Sequence, residues 1–304
     1  MKHNIKVTAI LLLMFIITQF IGLYVVNYYS AEDNPIPYGM EPPVPESELQ
    51  YYGVFTQIII AFIIAVAILF AITKFELQTI LKIWFFVVML IALALTFNAF
   101  FPDFKYVSYV ALLVALPFTI IKIFGKDILV HNFTELLIYP GIAAVFVPIL
   151  NITTAIIFLI LISIYDAWAV WHSGIMQKMA KYQVDKLNIF TGFFVPYVSK
   201  KVKLKLKKIK KSDLKKSKIK VNVALLGGGD VIFPIIISGV LLNTVGLGPA
   251  LFAMLGATLG LAYLFFFAKK KKFYPAMPFI TAGILIMTGI SYLVFWISIT
   301  HFLF

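Results

Sequence analysis

Apolar side chains run almost uninterrupted through nine stretches of the chain, beginning near Val7, Val54, Ile80, Tyr106, Thr134, Ile152, Val221, Leu247 and Ala276. Each is about 20 residues long, and a helix of that length rises ~30 Å, the thickness of a bilayer's hydrocarbon core. Most charged residues fall in the connections. The pattern predicts an all-α polytopic membrane protein of about nine transmembrane helices. The first run follows Lys2, His3 and Lys6. It exceeds the ~7–15 apolar residues of a secretory signal, so it reads as an uncleaved first helix.

One polar connection is long. Residues 173–220 separate a six-helix part, 1–172, from a three-helix part, 221–304, and the end of the connection reads SKKVKLKLKKIKKSDLKKSKIK. Alternation of Lys with Val and Leu over Lys200 to Leu206 suits a short strand, or an amphipathic surface that meets anionic lipid headgroups. The plainer reading is a solvated loop that fixes topology. Nucleic acid is a poor partner for it, since the stretch has no arginine and no interleaved aromatics for base stacking. No internal repeat is evident, which disfavours the inverted-repeat design of many secondary transporters.

Composition agrees with lipid as the solvent: 62% of the residues are hydrophobic, against roughly 45–50% in globular proteins. Cysteine is absent, which excludes disulfides, a thiolate nucleophile and Cys-ligated metal. The formal charge is +13, and all 26 basic residues are lysines. With the N-terminus inside, the cytoplasmic connections carry nearly all of them. The opposite side holds Glu32, Asp33, Glu41, Glu46 and Glu48 in a Pro-rich first loop. The positive-inside rule therefore predicts a cytoplasmic N-terminus and a C-terminus outside.

Against this background two acids stand out. Most of the 13 acidic residues fall in loops or close to a helix end, Glu135 among the latter, but Asp166 and Asp230 lie within apolar spans. A carboxyl at membrane depth costs ~2.5–3.5 kcal/mol on insertion scales, which makes it a functional-site candidate. The sixth helix ends near His172, placing Asp166 ~9 Å from that end; a seventh helix starting near Val221 would place Asp230 ~14 Å in. Consecutive antiparallel helices would then bring the carboxyls to similar depth. Two facing carboxyls share a proton, so one serves as acid and the other as base, and the spacing does not say which is which. Such a pair can activate water against an amide.

Gly227, Gly228 and Gly229 immediately precede Asp230. They remove side-chain bulk and loosen a helix where water or a substrate backbone must come near. The ninth span opens with Pro275, Ala276, Met277 and Pro278, and the prolines suit a helix start.

Together these segments resemble the presenilin and signal peptide peptidase family of intramembrane aspartyl proteases. That family carries Tyr-Asp in the sixth helix, Gly-x-Gly-Asp in the seventh and Pro-Ala-Leu at the ninth. Tyr165-Asp166 matches the first and Gly227-Gly228-Gly229-Asp230 the second. Pro275-Ala276-Met277 matches the third, with Met in place of Leu. The resemblance extends to the layout of nine helices with a long loop after the sixth, and the shortness of the chain resembles that of microbial, archaeal homologues. It implies a multi-pass protein of the cell membrane in which Asp166 and Asp230 cleave transmembrane segments of other proteins. Tyr165 and Gly227 to Gly229 would support the site, and Pro275, Ala276 and Met277 would help position substrate. It implies no metal and no organic cofactor, and it is compatible with a homo-oligomer. Three other readings remain: a proton-coupled transporter or channel using the same two acids, a prepilin-type leader peptidase, and a scaffold whose acids only join helices.

Overall fold

The computed structural model describes residues 5–40, 42–43, 45–75, 77–101, 106–125, 127–173, 191–197, 222–268 and 274–303. Within them the order is α1 (Ile5–Tyr29), α2 (Glu48–Lys74), α3 (Gln78–Phe100), α4 (Val107–Phe124), α5 (Ile128–Phe146), α6 (Ile152–Trp168), β1 (Gly192–Tyr197), β2 (Asn222–Gly227), α7 (Gly228–Thr244), α8 (Leu247–Phe267) and α9 (Met277–Leu303). Among the described residues eight helices are long and apolar enough to cross a membrane, and α7 is a shorter apolar helix. Most of the basic connection, including the strand expected over Lys200 to Leu206, lies outside the described residues.

Helices α1, α5 and α7 pack on one another at the centre. The α3–α4 pair flanks them on α5, while α8 and α9 flank them on α7 and α6. One continuous core joins Phe15 of α1, Leu159 of α6, Ile235 of α7, Leu261 of α8 and Ile280 of α9. Lipid supplies no hydrophobic drive between helices, so close backbone approach must hold them. Glycine permits it between α8 and α9, where a side chain at Gly283 would run into the carbonyl of Gly256. Helix α2 is the loosest, touching α6 through Phe55 on Phe158 and Phe62 on Tyr165.

The seventh apolar run departs from the helix expected from Val221. Its residues Asn222–Gly227 form β2, antiparallel to β1, with Gly192 opposite Gly227 and Tyr197 opposite Asn222. The cause is local. Ala224 and Leu226 are buried while Val223 and Leu225 are exposed, a period of two, and the glycine run that follows opposes helix. An apolar run too short to show its period hides this in the sequence.

The fifth run departs in the other direction. Its helix begins at Ile128, where the Asp127 side chain caps the N–H groups of Leu129 and Val130, a strong start signal. Glu135 is thus two turns inside α5 and 1% exposed, not close to a helix end.

Candidate active site

Asp166 lies near the end of α6, just before a π-helical turn over Ala169–Ser173. It is 4% exposed. Its Oδ2 accepts a hydrogen bond of 3.1 Å from the backbone N–H of Met277, and the Ala276 N–H also points at the carboxyl. Met277 opens α9, and the first N–H groups of a helix have no partner within it. Asp166 therefore satisfies the start of α9 from across the bundle, an arrangement that suits an anion at a helix N-terminus.

Asp230 sits in the first turn of α7, behind a Gly227 with extended backbone at φ −64° and ψ 149°. The Gly227 N–H faces the Asp230 carboxyl, which is half of a capping box. Asp230 as a whole residue is half-buried, and its carboxyl lies within electrostatic range of Asp166. The depth of ~14 Å along a helix is thereby corrected, because β2 replaces the first turns that estimate assumed. Both aspartates stand at helix ends, where irregular backbone borders the pair. Four residues after Asp230, Pro234 lacks the N–H that would bond the Asp230 carbonyl, which loosens this end of α7 further.

The three glycines differ in surroundings. A Cβ at Gly228 would stand 2.7 Å from the hydroxyl oxygen of Tyr139, and one at Gly227 would stand 3.3 Å from Asp230 Oδ2. Gly229 is exposed, and a Cβ there would meet only Phe233 at an ordinary 3.7 Å. Pro275, Ala276 and Met277 are all buried, and Met277 packs in the core shared with Ile280. Tyr165 is turned elsewhere: its ring meets Phe62 of α2 edge-on at 6.0 Å and Trp168 at 6.5 Å.

Two neighbours of the site escape the sequence reading. Gln19 of α1, fully buried, donates from Nε2 to the carbonyl of Val231 at 3.0 Å, one residue beyond Asp230. Tyr139 of α5 donates to Glu135 and abuts Gly228. A lone Gln in a 25-residue apolar helix, and the spacing of His131, Glu135 and Tyr139 along one helical face, are the signals that point to them. Among the described residues no group of three His, Cys, Asp or Glu could hold a metal ion.

Residues 11–297 match the family described as signal-peptide peptidase, presenilin aspartyl protease. The fold is similar to solved structures of a presenilin family intramembrane aspartate protease. For the C222 crystal form the TM-score is 0.63 at 17% identity, covering 94% of this chain and 99% of that one. For the P2 form it is 0.59 at 19% identity, covering 93% and 96%. No curated protein matches the chain.

Proposed function

The chain belongs to the signal-peptide peptidase and presenilin aspartyl protease family and is an intramembrane aspartyl protease of the multi-pass membrane class; from that premise we propose that Asp166 and Asp230 are its catalytic pair. The observation that carries the proposal is the bond from the Met277 N–H to Asp166 Oδ2. It joins two sequence-distant segments, α6 and the start of α9, and Asp230, behind the glycine turn before α7, lies within electrostatic range of the same Asp166.

One carboxylate takes a proton from water as the oxygen attacks the scissile carbonyl, and the partner carboxyl protonates the carbonyl oxygen. The tetrahedral diol then collapses with cleavage of the C–N bond: the first residue gives its proton to the leaving nitrogen while the partner carboxylate takes back a hydroxyl proton, restoring the starting pair. Backbone N–H groups of Ala276 and Met277 hold Asp166 in place without a side chain that could compete for the proton. Pro275, Ala276 and Met277 position substrate through this same entrance. Tyr165, with its ring on Phe62, supports α6 against α2 rather than touching the reacting atoms.

The substrates are transmembrane segments, and such a helix must unwind to expose an amide. The edge of β2 away from β1 leads straight to Asp230, and an extended peptide can add to an edge of this kind by main-chain hydrogen bonds. Lys200 to Lys220 would meet anionic headgroups on the cytoplasmic side, with the N-terminus inside and the C-terminus out.

Purified protein reconstituted with a single-span substrate should yield two fragments whose new ends, read by mass spectrometry, fall within the span. Cuts only outside the span would contradict intramembrane hydrolysis. Proton or cation flux into the vesicles without fragments would favour the transporter reading.

A further inference from the structure

A buried polar chain stands beside this site. Glu135 receives Lys122 Nζ, from the last turn of α4, on Oε1 and the Tyr139 hydroxyl on Oε2. Lys122 and Glu135 are each buried. His131 lies on the same face of α5, with Nδ1 3.4 Å from Lys122 Nζ and Nε2 2.9 Å from the Gly192 carbonyl oxygen. A buried ion pair is seldom worth more than apolar side chains of the same volume. Its stability alone does not account for it.

Its placement does. The Tyr139 phenol presses on the Gly228 backbone, where a Cβ would come within 2.7 Å of the hydroxyl oxygen and 2.8 Å of Cε1. The ring also meets Phe193 of β1 edge-on at 6.1 Å, and Asp230 lies within its electrostatic range. About two turns before Tyr139 along α5, the Asn132 side chain takes both backbone groups of Phe194, accepting from its N–H at 2.9 Å and donating to its carbonyl at 2.8 Å. Helix α5 thus grips β1, and through Tyr139 it bears on the turn by which β2 becomes α7.

We propose that Tyr139, oriented by Glu135 and Lys122, is a positioning residue of the active site: it fixes the Gly227–Gly229 turn and so sets where the Asp230 carboxyl stands relative to Asp166. The proposal rests on the reading of Asp166 and Asp230 as the catalytic pair. Among the described residues the titratable groups facing this contact are Glu135 and His131 of α5, Lys122 of α4, Asp166 of α6 and Asp230 of α7.

The test compares the full chain in lipid vesicles with Tyr139→Phe, Glu135→Gln, Gly228→Ala and Asp230→Asn, reading kcat, KM and the pH–rate profile on one single-span substrate, together with Tm. Tyr139→Phe keeps the ring against Phe193. It should lower kcat by roughly 10- to 100-fold, the scale of a small misplacement of a reacting group, with KM and Tm near the parent's and the pH–rate profile displaced. Glu135→Gln should fall between, since the amide oxygen still accepts from Tyr139. Gly228→Ala acts on the same contact, so combining it with Tyr139→Phe should cost less than the product of the two losses. Parental kcat and pH profile in folded Tyr139→Phe would overturn the proposal, as would a loss carried wholly by KM or by a fall in Tm. If Tyr139→Phe does not fold, Glu135→Gln decides by the same criteria. Asp230→Asn separates the two levels. Inactivity there with an unaffected Tyr139→Phe overturns only the positioning role, whereas an active Asp230→Asn overturns the catalytic pair itself.

Discussion

Met277 shows how a residue can serve a site through its backbone while its side chain serves the core. Its N–H holds Asp166, and its side chain is 2% exposed. Met277→Leu should therefore keep cleavage within about threefold and stability within ~1.5 kcal/mol, as volume-conserving apolar swaps do; a kinetic assay and a thermal melt check both. Gly229 makes the opposite prediction. Being exposed beside the half-buried Asp230, a Gly229→Cys variant should react with a water-soluble thiol reagent, because hydrolysis needs water at the pair. Protection of that thiol in an active variant would contradict the water path. The two aspartates are recognisable in the sequence because charge is rare within apolar runs. Glu135 is not, because the apolar run that marks its helix begins near Thr134 whereas the helix itself begins at Ile128.

At the scale of elements, the helices follow from hydrophobic length, while the junctions between them do not. The seventh run is apolar on both sides of its glycines, so hydrophobicity alone does not separate β2 from α7. The separation arises from pairing with β1, a segment whose aromatic Phe193 and Phe194 lie about 30 residues away along the chain, across the basic connection. That tertiary contact overrides local pattern. Packing between elements makes its own prediction. Gly283 touches the Gly256 backbone, whereas Gly289, on the same helix, has open space at its Cβ position. Gly283→Val should force α8 from α9 and destabilise the protein by about 2 kcal/mol or more. Gly289→Val should leave Tm within a degree or two, so equal losses in the two melts would contradict the account of α8–α9 packing.

For the whole molecule, Asp166 and Asp230 stand on either side of the long basic connection that follows α6. Folding closes that gap, bringing the end of α6, the start of α7 and the start of α9 together. Orientation is the prediction that belongs to this scale. The chain lacks cysteine, so single-cysteine variants label cleanly. Val245→Cys, at the exposed α7–α8 turn, should label from outside the cell and Leu77→Cys, at the α2–α3 turn, only from within. The central claim, that two aspartates brought together by this fold carry the hydrolysis, is tested most directly by the rate of single-span substrate cleavage in vesicles for the parent, Asp166→Asn and Asp230→Asn. The account predicts that each substitution alone reduces the rate by more than about 100-fold while Tm stays near the parent's. Cleavage at the parental rate by either folded variant would contradict it.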